Sequence, residues 1–153
     1  MKLLLDEDVP LQLLEPLRRL LREHEVDHVN DLGWKGKKDS FLLPDASGRG
    51  YDVLVTNDSG QLDSPEECRA IRDSHMHHVR YRMLDGLDGL ASAMGAVMAA
   101  IRPVAKELDA ADGQRLVLIT AIGPGKRHTS VDPAVNPPSY WPSGPGRSRR
   151  RPR

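Results

Sequence analysis

Cysteine is nearly absent from the chain, which has Cys68 alone among 153 residues. That excludes an intramolecular disulfide and a cysteine-built zinc cage, and it points to a reducing, intracellular setting. Aromatic residues are scarce at 4%, too few for a nucleic-acid reader that stacks bases on an aromatic sheet face. The core must therefore come from Leu, Val, Ile, Ala and Met, and a hydrophobic share of 39% suffices for a soluble globular fold. Long apolar runs are missing as well. Leu3-Leu4-Leu5 is closed by Asp6-Glu7-Asp8, far short of a signal-peptide core. No window is expected to reach transmembrane length, and the protein is expected in the cytoplasm with no membrane association.

Net charge is also lacking, but the zero conceals an asymmetry. Through Ile122 there are 15 Lys and Arg against 21 Asp and Glu; from Gly123 onward there are 7 against 1. An acidic body repels a phosphate backbone on average. The basic tail could offset that or fold back on the body, so charge alone selects no partner.

The length fits one domain with room for a small second module. Lys2 to Leu5 reads as a buried strand, an apolar run closed by acids. From Pro10, Leu11, Leu14, Leu17, Leu20 and Leu21 fall at helical spacing, and Pro16 predicts a kink. Val26 to Val29 is a candidate second strand, followed by a loop over residues 31–38. Asp39 opens a short helix that Pro44 and Gly48 should cut short. Tyr51 to Thr56 is the clearest strand. Ser64-Pro65-Glu66-Glu67 combines an N-cap serine, a first-turn proline and a capping-box glutamate, predicting a helix to about Ser74. His77 to Arg82 alternates weakly as a strand. Leu87 to Leu108 is helical, with Pro103 expected to kink or divide it, and Arg115 to Ile122 is a last strand. This order predicts an α/β fold with a mostly parallel central sheet in residues 1–122. Residues 123–153 hold 7 of the 12 prolines and end in arginines; they are expected to form a disordered tail.

In an open parallel sheet the functional crevice lies outside the carboxyl ends of the strands. Asp6, Glu7 and Asp8 follow the first strand, and Thr56 and Asp58 follow the clearest later one. Acids delivered to one edge by separate strands can assemble a hard-cation site, and Mg²⁺ takes a few carboxylate oxygens while keeping several waters. Such an ion can activate water for in-line attack on a phosphodiester. The plainer alternative is that acids after strands serve helix N-termini.

Leu3-Leu4-Leu5-Asp6-Glu7-Asp8-Val9-Pro10 resembles the opening of small PIN-like proteins, an apolar strand followed by Asp-Glu-Asn/Asp, a hydrophobic residue and Pro. His24 to Gly33 is similar to that family's second-strand segment ending in Asp-Leu-Gly. Asp39 falls where the family opens its next helix with an acid, and Val53-Leu54-Val55-Thr56-Asn57-Asp58 is similar to its Val-Thr-Arg-Asp motif. The match is close over residues 1–62. The resemblance implies a PIN-like three-layer sandwich and kinship with VapC-type toxins, which are Mg²⁺- or Mn²⁺-dependent ribonucleases paired with an antitoxin protein. By position, Asp6, Asp39 and Asp58 would hold the metal, and Thr56 would hydrogen-bond a ligand carboxylate or the metal's water. Glu7 is aimed away from Asp6 by strand alternation. Where the family commonly has a second acid two places after the last aspartate, this chain has Gly60.

Lys35, Lys37 and Lys38 precede Asp39 and are expected either to hold an RNA backbone at the crevice mouth or to form a solvated loop. Arg147, Arg149, Arg150, Arg151 and Arg153 could bind RNA non-specifically. His75, His77 and His78 are expected at the surface or a helix end; His24 and His28 match the family's second-strand pattern and are expected as structural residues, with His28 a distant candidate for the site. The small residues Ala91, Gly95 and Ala99 permit close packing on the chain's own sheet, on an antitoxin helix or in a homodimer. The leading expectation is a Mg²⁺-dependent ribonuclease of a toxin–antitoxin pair. The alternatives are a PIN-like binding module without turnover and a haloacid-dehalogenase-type phosphohydrolase. The last lacks a convincing lysine and a late acidic pair, since Ile119-Thr120-Ala121 ends without acids.

Overall fold

Leu3-Leu4-Leu5 and Val53-Leu54-Val55 become short strands, each closed by a polar stretch, Asp6-Glu7-Asp8 and Thr56-Asn57-Asp58. The computed structural model describes residues 1–58, 60–120 and 128–144. Its strands are β1 (Lys2–Leu5), β2 (Glu25–His28), β3 (Val53–Thr56), β4 (His77–Tyr81), β5 (Leu116–Ile119) and β6 (His128–Val131). Its helices are α1 (Leu14–Leu20), α2 (Asp39–Gly48), α3 (Pro65–Ser74) and α4 (Gly86–Asp109). The sheet order is β2-β1-β3-β4-β5-β6, parallel from β2 through β5, with β6 antiparallel on β5.

Leu3-Leu4-Leu5 of β1 and Val53-Leu54-Val55 of β3 are unbroken apolar runs because both faces of these strands are covered. On one face Leu3, Leu5, Val53 and Val55 pack with Leu14 and Leu17 of α1 and Val97 and Ile101 of α4. On the other, Leu4 and Leu54 pack with Leu42 and Leu43 of α2 and Ile71 of α3. The result is the three-layer α/β sandwich that the motifs implied. Chain order turns back between β1 and β3, since β1 pairs with β2 on one side and β3 on the other. This topological switch point is where an open parallel sheet leaves a crevice at its carboxyl edge.

The helix expectations hold best where caps are explicit. Ser64 caps α3, its Oγ accepting from the Glu67 amide at 3.4 Å, and the helix ends at Ser74. The prolines act differently from expectation. A 3₁₀ turn at Leu11–Leu13 precedes α1, so Pro16 falls in the first turn of α1, where a missing N–H costs little. Pro44 does not end α2, and Pro103 does not divide α4, which runs for 24 residues. Both rings lie on exposed faces, where water can satisfy the carbonyls they leave without a donor.

Two further corrections follow. β6 lies past the boundary expected at Ile122, so residues 128–131 are not structureless. Its polar sequence gives no apolar signal. It is held by backbone pairing to β5 and by His128, whose Nε2 donates to Glu107 Oε2 of α4 at 2.6 Å. The arginines from 147 to 153 lie outside the described residues. Secondly, α4 is long and apolar enough to cross a membrane by length and composition, with a mean hydropathy of 1.2, against the expectation that no window would be. Its apolarity has a local use, since Ala93, Ala96, Val97, Ala100, Ile101 and Val104 are buried in the core over the sheet. Of the small residues singled out in the sequence, Ala91 is exposed and Gly95 and Ala99 are half-buried, so the inward face is the one beside them.

Pro103→Ala should restore a helix hydrogen bond at an exposed position and stabilise the protein by about 1–2 kcal/mol, less than the full helix-interior difference because proline also stiffens the unfolded chain. Urea denaturation checks this, and an unchanged or lower midpoint would contradict it.

Candidate acidic metal centre

The pairing of β1 with β3 sets the site. Leu4 is in register with Leu54, and the ladder continues through Asp6, whose amide donates to Val55 O at 2.9 Å. Two residues beyond Leu4 and Leu54 come Asp6 and Thr56, on the same face by strand alternation. Both are buried, Asp6 at 8% and Thr56 at 0% exposure. The Thr56 hydroxyl donates to Asp8 at 3.3 Å and accepts the Asp58 amide at 3.0 Å. The Asn57 amide also donates to Asp8, at 3.3 Å.

Asp39 arrives from another element, as the first residue of α2. Gln61 bridges it to Asp6: the Gln61 Nε2 donates to Asp39 Oδ2 at 2.7 Å and to Asp6 Oδ2 at 3.4 Å. Asp58 is at the same edge but turned onto its own loop, its Oδ1 accepting the Gly60 amide at 2.8 Å. A Cβ at Gly60 would lie 3.2 Å from that oxygen. A side chain there would press on the Asp58 carboxylate, which would have to shift by a few tenths of an ångström.

Among the described residues, no ion pair joins Asp6, Asp8, Asp39 or Asp58 to a Lys or Arg. Burial pushes the Asp6 carboxyl up, opposed by the Glu7 amide that donates to it. Burial, then the charge of Asp6, pushes Asp8 up to about 6. The same two causes push Asp39 up to about 6, against the Gln61 hydrogen bond that favours its charged form. An acid serving only a helix dipole would be held below its usual range, so burial first, and Asp6 after it, outweigh the dipole at Asp39. Burial and then Asp58 also raise Glu67.

The donor chemistry suits a hard cation, with carboxylates and a hydroxyl short of positive charge. Next to them the Tyr81 hydroxyl is buried and has no hydrogen-bond partner among the described residues. Burial, then Asp8 and Asp6, disfavours its ionisation. No set of three or more His, Cys, Asp or Glu among the described residues is already drawn together as a metal cage. Mg²⁺ needs only one or two carboxylates when water completes its shell, so the residues fit an ion held largely through water.

The lysine loop is more structured than expected. Lys37 pairs with Asp45 and lies over the Trp34 ring, which Arg49 also covers. Lys35 and Lys38 are exposed. Glu7, aimed away from Asp6, ties this loop to the acid edge by accepting the Gly36 amide at 2.6 Å.

Asp8 reads from the sequence as an acid at this edge but outside the ligand set, His78 as a surface or helix-end residue, and Gln61 and Tyr81 carry no site signal there. His77 and His78 are not at the surface; they are buried in β4 at 7% and 1% exposure. His75 does end α3, with a positive φ of 57°. His28 is structural, its Nε2 donating to Val9 O at 2.9 Å. The signal available for His78 was its place two residues before Arg80 on one face of a strand, and no spacing rule pointed to Gln61.

A family model described as a PIN like domain matches residues 1–81, from β1 through β4. No curated protein and no solved structure matches the chain.

Asp8→Asn keeps an acceptor for Thr56 and Asn57 while removing the charge. The folded pKa of Asp8, about 6, lies above its ordinary 3.8. The fold therefore carries a cost of ionisation at pH 7.5 that is shed as pH falls from about 6 toward 3.8. Without divalent cation, the variant should be more stable than wild type by on the order of 1 kcal/mol at pH 7.5, discounted for solvent screening, and nearly equal to it near pH 4. Urea melts at both pH values check this; a variant no more stable at pH 7.5 would contradict the burial of an uncompensated charge.

Proposed function

The chain belongs to the PIN-like domain family, and we propose that its acid site makes it a divalent-cation-dependent ribonuclease, the toxin of a toxin–antitoxin pair. The observation that carries the reading is the meeting of Asp6, Asp8, Thr56 and Asp39 at the β1/β3 switch point with no ion pair to a Lys or Arg among the described residues. Asp6, Asp39 and Asp58 would hold Mg²⁺ or Mn²⁺, directly or through water, with Asp8 beside them. When bound, the cation supplies Lewis acidity and charge neutralisation for the attack of water on an RNA phosphodiester.

The remaining work falls to the chain. Thr56 keeps Asp8 and the Asp58 backbone in fixed relation through its two hydrogen bonds. Burial of the acids lowers the local dielectric and strengthens their hold on a cation. Lys35 and Lys38 are free to meet an RNA backbone, and Lys37 contributes by bracing the loop on Trp34 and Asp45. The toxin reading calls for an antitoxin protein, and the exposed Leu84 and Leu87 offer it apolar surface where α4 starts, at the same edge of the sheet. A homodimer across that surface is the other arrangement to test.

A second reading is favoured by the Gln61 amide, which presents N–H donors to Asp6 and Asp39. On that reading the chain is a PIN-like module that binds without turnover.

Cleavage of a single-stranded RNA pool should require Mg²⁺ or Mn²⁺. It should fall at least about 100-fold in Asp6→Asn and in Asp58→Asn, the scale of losing a group that stabilises developing charge. Activity equal to wild type in both variants would remove the ribonuclease reading. Cation binding without cleavage would select the binding module.

A further inference from the structure

Gln61 has both ends of its amide engaged in this site and no part in the proposed hydrolysis. It is 2% exposed and comes from the loop between β3 and α3. Its Nε2 donates to Asp39 and Asp6, and its Oε1 accepts from His78 Nε2 at 2.8 Å. His78 is itself buried at 1% exposure, and burial pushes its imidazole down to about 3, so the ring is neutral. Four separate segments thus meet through one amide: the end of β1, the start of α2, the loop before α3, and β4.

The chemistry permits a single orientation of that amide. Reversed, its oxygen would face two carboxylates, and its NH₂ would face a ring nitrogen that must then lack a proton. The proton would move to Nδ1, which has no partner among the described residues. With the proton on Nε2, the unpaired atom is a lone pair and no donor is orphaned. His78 therefore sets the direction of Gln61, and Gln61 presents its NH₂ to the acids. Asp6 and Asp39 repel one another; a donor shared between them offsets part of that repulsion.

We infer that Gln61 is a positioning residue: oriented by His78, its amide holds Asp6 and Asp39 side by side and thereby sets the affinity of the acid cluster for a divalent cation. The clause about affinity rests on the metal-site reading above; the clause about positioning does not.

The test uses the full chain and two readouts, the carboxyl ¹³C resonances of Asp6 and Asp39 without metal, and Mn²⁺ titration by calorimetry. Gln61→Leu should move both resonances and weaken Mn²⁺ binding about tenfold, the scale of one hydrogen bond to a charged group. His78→Leu should reproduce both changes although it touches neither acid, and the double variant should be no weaker than either single one. His78→Gln, which keeps an N–H donor, should recover affinity to within about threefold of wild type, less than half of the tenfold loss remaining on a logarithmic scale. Should Gln61→Leu not fold, Gln61→Asn, with an amide too short to span His78 and Asp39, provides the same readouts. Carboxyl resonances that stay put in a folded Gln61 variant would overturn the inference, as would equal Mn²⁺ affinity across all variants of a wild type that binds. A wild type that takes up no Mn²⁺, with resonances that move, would remove the metal-site reading and leave the positioning role supported.

Discussion

The parallel pairing of β1 with β3 is the constraint on which the rest depends. Both strands are buried on both faces, so their register is set by the packing of Leu3, Leu4 and Leu5 against Val53, Leu54 and Val55. A slip of one residue would send each side chain to the opposite face. The same register that buries the leucines delivers Asp6 and Thr56 to one row at the carboxyl edge. Core and candidate site are therefore one decision of the fold.

That decision stores an electrostatic cost. Asp6, Asp8 and Asp39 are all pushed upward first by burial, and no basic side chain among the described residues pairs with them. Structural acids in folded proteins usually find a cation or a set of amides. Here the amides of Glu7, Asn57 and Gln61 supply partial compensation. The topology puts these acids at the switch point where α/β sheets bind ligands. The loop before α2 is fastened to the same edge through Glu7 and Gly36, so its lysines are held at the rim.

Much of the order β-α-β-α-β-α-β-α-β was legible along the chain because each element carried a local signal. Ser64, Pro65 and Glu67 announced α3, and unbroken Val53-Leu54-Val55 announced β3. The prolines were not legible in the same way, because Pro44 and Pro103 are tolerated inside helices only by facing water, and local sequence does not show which side that is. β6 had no apolar pattern to read. The buried state of His77 and His78 could not be told from a surface pair, because alternation in β4 is weak and both its faces are covered.

What the sequence by itself determined is the place of β1 to β5, the acids that follow β1 and β3, and hence the edge where carboxylates gather; these follow from local hydrophobicity and chain order. Only tertiary structure decided that Gln61 stands between Asp6 and Asp39, that His78 directs it, and that Lys37 is committed to Trp34 and Asp45. These are contacts between segments distant in the chain. Glutamine and histidine carry no periodic signal, and their roles exist only once burial removes water and leaves each donor a single acceptor to find.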